Sequence, residues 1–242
     1  MKLYMLLVKI TFAFSMLTII LFPLASLGAR FSLWHYSTAF QIIKVEVILG
    51  LIVVLSALAL LICAWVMKLS SNAVWMSLSS ILVIGLVIVP LLYQFYLVNR
   101  LPKIHDITTD WEDPPQFEKI VDLRPANSNT LEYAGESIAA QQRDAYPYII
   151  TTYSSLSPAE TFGSALAIVR KLNWNVIATD AVNEDESIIE STQSSFWFGF
   201  TDDIVIRIQA AKGGSKIVIR SVSREGVRDI GPNAKRIKNF IH

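Results

Sequence analysis

The sequence predicts a two-part protein. An α-helical transmembrane anchor of three spans precedes an α+β soluble domain, an antiparallel four-stranded meander with helices on one face. Three observations predict this. Three long stretches without a charged residue fill the amino-terminal part. A capped, amphipathic helix pattern begins at Ser157. Four strand-like runs follow it, the last two joined at Gly213-Gly214.

The first span is read from Ile10 to Ala29, the second from Val47 to Met67, and the third within Leu69 to Asn99. Each can cross about 30 Å of hydrocarbon, which takes roughly 20 apolar residues. Ser70-Ser71-Asn72 places the start of the third at the interface, leaving Ala73 to Val98, with a kink expected at Pro90. Trp65, Trp75, Tyr93 and Tyr96 lie toward span ends, where amphipathic rings favour the headgroup region. Ala25 to Ala29 offers small residues suited to signal cleavage. The apolar stretch is longer than a secretory signal, though, and two more spans follow, so the first is expected to be retained. Lys44 and Glu46 flank the second span and read as interface anchors. With no acid, Arg or Lys assigned mid-membrane, no transport relay is expected. Gly50, Ser56, Ala57 and Ala59 would permit close helix packing.

Charge separates the two parts. Five Lys/Arg and one acid occur up to Val98; sixteen and nineteen follow. The overall net charge of +1 therefore creates no field suited to nucleic acid, and no nucleic-acid partner is expected. Basic residues on the two sides of the spans nearly balance, but Lys2 and Lys9 favour a cytoplasmic amino terminus. That puts the carboxy-terminal domain in the periplasm, with the chain in a bacterial inner membrane. Cys63, the single cysteine, cannot form an intrachain disulfide and reads as lipid- or helix-facing.

The expected organisation is therefore a three-helix membrane region over 1–99, a Pro- and acid-rich linker over 100–153, and an α+β core over 154–242. Pro102, Pro114, Pro115, Pro125 and Pro147 disfavour helix in the linker. Trp111, Phe117, Ile120, Val121 and Tyr133 need something to pack on, so the linker is expected to wrap the domain. In the core, Ser157-Pro158-Ala159-Glu160 is a capping box with proline at the first helical position. Phe162, Ala165, Leu166, Val169 and Leu172 then form one apolar stripe. The strands are read at Trp174–Val182, Ser187–Gln193, Asp203–Ala211 and Lys216–Arg224, with a polar turn at Asn183-Glu184-Asp185-Glu186. A last helix starts near Pro232.

With Gly213 and Gly214 as the turn pair, Ile204, Ile206, Ile208, Ile217 and Ile219 share the core face. Asp203, Val205, Arg207, Arg220, Val222 and Arg224 share the other. That register pairs Asp203 with Arg224 and sets Arg207 against Arg220, a like-charge contact that needs compensation from Glu190, Asp229 or an anion. Two readings stand. In one, Asp202, Asp203, Asp229, Ser221 and Ser223 join the arginines in a structural polar network. In the other, Arg220, Arg224, Arg236 and Asn233 bind a phosphate or carboxylate beside the start of the last helix. A Ser–His–acid relay would have to recruit His105 from the linker. No Cys/His pair has ligand spacing, so neither metal nor cofactor is expected. Phe196-Trp197-Phe198-Gly199-Phe200 reads as core with a glycine bulge, or as an apolar lip against membrane or a partner.

Gly199-Phe200 with Asp202-Asp203, Arg220-Ser221-Val222-Ser223-Arg224-Glu225-Gly226, and then Asp229, Gly231, Asn233 and Arg236-Ile237 together resemble the signature of the DUF1499 family. The segment from Ile104 to Phe117 is similar to the start of that domain. The resemblance implies a small α+β domain, often secreted or membrane-anchored, and no particular reaction. The functional expectation is a cell-envelope protein in the lipid bilayer. Its outer domain would bind a protein partner, an anionic small molecule or a lipid headgroup. The alternatives are an enzyme acting on lipid or cell-wall material through Asp202, Asp203 or Asp229, and an accessory subunit of a membrane-protein complex.

Overall fold

A computed structural model describes residues 1–183 and 185–242; Glu184, in the expected polar turn, lies outside the described residues. The chain divides into two compact units, 1–97 with 196–199, and 98–195 with 200–242.

The first unit contains α1 (Lys2–Arg30), α2 (Tyr36–Val66) and all but the last three residues of α3 (Ser71–Arg100). All three are long and apolar enough to cross a membrane. The helices run past the charge-free stretches, because a charged residue near a helix end does not stop helical hydrogen bonding. Pro23 lies inside α1 and Pro90 inside α3. The His35 ring accepts the Ser37 N–H at 3.3 Å and caps α2. Each buried face repeats at three and four: Thr11, Ser15 and Thr18 in α1; Glu46, Gly50, Val53 and Ala57 in α2; Ser77, Ser80 and Ile84 in α3. Small residues bring these helices close: a Cβ on Gly50 would lie 2.5 Å from Ile88 Cδ1. Glu46 departs from its expected role as an interface anchor. It lies inside α2 and is fully buried, whereas Lys44 is exposed. The aromatic loop belongs to this unit and stays out of the sheet core: Trp197 meets Phe22 at 5.0 Å and Phe198 meets Phe40 at 5.2 Å between ring centroids.

The second unit is an antiparallel sheet with helices. Its elements are β1 (Asp106–Thr108), α4 (Glu136–Ala145), β2 (Thr152–Ser154), α5 (Pro158–Lys171), β3 (Asn175–Asn183), β4 (Glu186–Ser194), β5 (Thr201–Ala211), β6 (Gly214–Ser223) and α6 (Pro232–Ile241). The strand order is β1-β6-β5-β4-β3, with β2 also paired to β6. The expected meander of four strands is therefore part of a six-stranded sheet. The two extra strands are three residues each, too short for an alternating pattern, and are held by their neighbour rather than by propensity. Gln142 of α4 covers the edge at β1: its Oε1 accepts the Thr108 N–H at 3.0 Å and its Nε2 donates to the Thr108 carbonyl at 2.7 Å.

The capping box of α5 forms, Ser157 Oγ accepting the Glu160 N–H and Glu160 Oε2 accepting the Ser157 N–H at 3.0 Å. Ala165 and Val169 of α5, with Ala234, Ile237 and Phe240 of α6, pack on Ile189, Ile204, Ile206, Ile208 and Ile219. Each of the buried valine, isoleucine and phenylalanine side chains contributes about 1.5–3 kcal/mol. The opposite face holds Val205 and Val222 under Phe117 and Ile120 of the proline-rich segment.

The hairpin register corrects the sequence expectation by two residues. Ala211 pairs with Gly214, Arg207 with Val218, Val205 with Arg220 and Asp203 with Val222. The faces are unchanged, since a two-residue shift preserves alternation. The turn falls on Lys212-Gly213 because Gly214 is a strand residue: a Cβ there would lie 1.9 Å from the Ser154 carbonyl oxygen of β2. The expected Arg207–Arg220 opposition does not occur.

Candidate functional site

The polar residues of β5, β6 and α6 sit where the alternation and the helix period aim them, and their partners come from far along the chain. Arg220 is fully buried. Its Nε and Nη2 grip Asp106 Oδ1 and Oδ2 at 3.0 and 2.7 Å, a bidentate pair. Nη1 donates to the Pro115 carbonyl at 3.1 Å and Nη2 to the Leu131 carbonyl at 2.6 Å. Its guanidinium lies 5.4 Å from the Phe117 ring centroid and 5.6 Å from that of Tyr133.

Asp203 serves two arginines. Arg224 donates from Nη2 at 2.7 Å and from Nε at 2.9 Å to Oδ1, and Arg124 donates to Oδ2. Arg224 also bonds the Leu123 carbonyl, and Arg124 that of Asn129. Asn129 Nδ2 in turn donates to the carbonyls of Ser223 and Gly226, at 3.0 and 2.6 Å. The loop after the 3₁₀ turn at Val121–Leu123 is thereby stitched to the end of β6.

Arg236 of α6 reaches back to the sheet. It donates to Asp202 Oδ2 at 2.6 Å, Gln193 Oε1 at 2.8 Å, Asn233 Oδ1 at 2.6 Å and Ser221 Oγ at 3.0 Å. Ser221 donates to Asn233 Oδ1 at 2.6 Å, and Asn233 Nδ2 donates to Ser223 Oγ at 2.8 Å. Glu190 of β4 accepts the N–H groups of Glu118, Lys119 and Ile120 at 2.7–3.0 Å. Arg207 bonds Asp113 at 2.7 Å. All three guanidinium nitrogens of Arg220, Arg224 and Arg236 thus have partners within the chain. Asp106, Arg124, Asn129 and Asp113 complete the cluster and were missing from the sequence reading. They lie in the segment without periodicity, where nothing local marks a residue for pairing more than seventy positions away.

The start of α6 is filled by its own chain. Asp229 Oδ1 accepts the N–H groups of Gly231 and Asn233 at 3.2 and 3.0 Å, and Oδ2 accepts that of Ala234 at 3.2 Å. The carboxylate therefore stands where an external anion would sit. Burial pushes Asp229 up to about 6; the backbone donors oppose the shift and Asp202 adds to it. A raised carboxyl binds its proton more tightly in the folded state than in the unfolded state. This group's penalty on folding is absent below its ordinary value near 3.8, grows as pH rises, and is complete above about 6. Asp229→Asn is therefore expected to remove roughly 2–3 kcal/mol of pH dependence between pH 4 and 6. Denaturant unfolding of both chains in detergent, followed by near-ultraviolet circular dichroism of Trp174 stacked on Phe240, checks it. Parallel pH profiles for the two chains would refute it.

Burial holds the His105 imidazole below its ordinary value, with Asp106 opposing and Arg124 and Arg220 reinforcing the shift. The hydroxyls of Ser221 and Ser223 are both bonded to Asn233, not arranged as a nucleophile with a base. Among the described residues, no three His, Cys, Asp or Glu side chains converge to hold a metal ion. A cleft of about 130 Å³ lies between α5, α6 and β2, lined by Leu156, Ala165, Ile168, Phe240 and Ile241 among others, and none of the network residues lines it.

The family model described as "Protein of unknown function (DUF1499)" matches residues 106–242. No curated protein and no solved structure matches the chain.

Proposed function

The chain belongs to the DUF1499 family, and from that premise we propose that it is a cell-envelope membrane protein acting by binding a protein partner rather than by catalysis. The observation that carries this reading is the saturation of the polar cluster. Asp202, Asp203 and Asp229 are buried and bonded to Arg236, to Arg124 and Arg224, and to the start of α6. A general acid or base must reach a substrate proton, and these carboxyls face their own chain. The arginines are held in the same way, so the cluster is proposed as scaffold: it fixes the loop at 121–131 and α6 against the sheet. An anionic small molecule or lipid headgroup would have to displace an internal carboxylate to reach Arg220, Arg224 or Arg236, which weighs against that ligand class. Lys2 and Lys9 at the start of α1 support a cytoplasmic amino terminus, a periplasmic soluble unit and a bacterial inner membrane. The accessory-subunit reading is the same proposal with α1–α3 as the contact surface.

Native mass spectrometry of the full chain, extracted from its own membrane in a mild detergent, tests it. The expected result is a stoichiometric protein partner. A chain that flies alone would overturn the reading, and one carrying only a lipid or inorganic phosphate would return the arginines to a ligand-binding role.

A further inference from the structure

Glu46 is fully buried in the helical unit, and neither of its carboxylate oxygens has a hydrogen-bond partner among the described residues. It is not at a helix end. Ten residues separate it from Tyr36 and twenty from Val66, or about 15 Å and 30 Å of helix. It shares the buried face of α2 with Gly50, one turn away, which packs on Ile84 and Ile88 of α3.

The buried side chains of α1 and α3 are all neutral, the polar ones being Thr11, Ser15, Thr18 and Ser26 of α1 and Ser77 and Ser80 of α3. Ser15 and Thr18 donate to carbonyls of their own helix, and so does Ser80. The cations of these helices, Lys2, Lys9, Arg30, Lys44 and Arg100, are all exposed. An ionised carboxylate with no hydrogen bond and no counter-charge among the described residues is far costlier than the neutral acid, and more so between membrane spans. The site therefore demands a cation.

We propose that Glu46 is a proton-binding site within the membrane helices, taking up and releasing a proton at its carboxyl oxygens. The helical unit would then be a titratable element as well as an anchor. The inference is independent of what the soluble unit binds.

The test is labelling of the full chain in its native membranes with dicyclohexylcarbodiimide, an apolar reagent that attacks carboxyl groups carrying their proton. The acid O–H adds across one C=N bond, the oxygen bonding to carbon and the proton passing to nitrogen. The adduct rearranges to a stable N-acylurea, and no atom is lost. Peptide mass spectrometry is expected to place one reagent mass on Glu46 at neutral pH, with the yield falling as pH rises, and no reagent on that peptide in Glu46→Gln. Lys44→Gln is expected to leave the labelling in place. Absence of label at any pH would overturn the proposal. So would protection by sodium ions at constant pH, which would identify a metal cation as the occupant. Labelling that appears only after detergent extraction would also overturn it, showing that a basic group of a partner chain covers the carboxylate. Should Glu46→Gln fail to accumulate, the position and pH dependence of the label in the native chain still decide the matter.

Discussion

Arg220→Met in the full chain is expected to destabilise the soluble unit by about 3–5 kcal/mol, because it leaves Asp106 as an unpaired charge in the interior. The side chains of Arg220 and Asp106 are 0% and 6% exposed, so water cannot replace the lost partner. Methionine keeps most of the volume between Phe117 and Tyr133, which makes the loss a report on charge rather than on a cavity. Hydrogen exchange of the β6 amides in detergent is the measurement. Protection should fall by roughly a hundred- to several-thousand-fold. Adding Asp106→Leu should restore only part of it, since the Pro115 and Leu131 carbonyls that Arg220 satisfied stay without a donor, at about 1–3 kcal/mol each. β6 protection unchanged in the single variant would show that the pair does not hold the sheet edge.

Asp203→Ala is expected to cost a similar amount, about 3–5 kcal/mol, by a different route. One fully buried carboxylate neutralises both Arg124 and Arg224, and its removal leaves two guanidinium groups side by side. The repulsion can be relieved locally. Arg124 and Asn129 sit on the loop at 121–131, which can lift away and carry Arg124 into water. Exchange should therefore accelerate first in peptides covering 121–131, with α5 responding only in the global limit. Asp203→Asn should fall between the two, keeping an acceptor while losing the charge. A uniform loss across the loop and α5 would mean that the whole unit opens at once, contrary to the expectation.

The features legible in the amino-acid sequence follow from local rules. The spans follow from length and hydropathy, the start of α5 from four consecutive residues, and the two faces of β5 and β6 from alternation. The register did not follow, because the turn position depends on β2 backbone passing over Gly214. The short strands β1 and β2 were invisible for a related reason: three residues in a proline-rich segment carry no period, and their hydrogen bonds belong to β6 and α4.

The candidate site divides along the same line. Arg220, Arg224, Arg236, Asn233 and the aspartates at 202, 203 and 229 stood out because charged and small residues interrupt strand-like runs. Whether those groups face a ligand or one another depends on Asp106 and Arg124, more than seventy residues away from their partners. Glu46 is the sharpest case. By position it flanked an apolar stretch and read as an anchor, like Lys44 two residues before it. Two residues on a helix are about 200° apart, so one side chain is exposed while the other is enclosed by neighbouring helices. The membrane spans, the capped helix and the faces of the sheet are written in the local pattern of residues, since each depends on positions within a few turns or along one strand. Register, charge pairing and the burial of Glu46 arise in the folded chain, since each depends on which distant backbone or side chain arrives to exclude water.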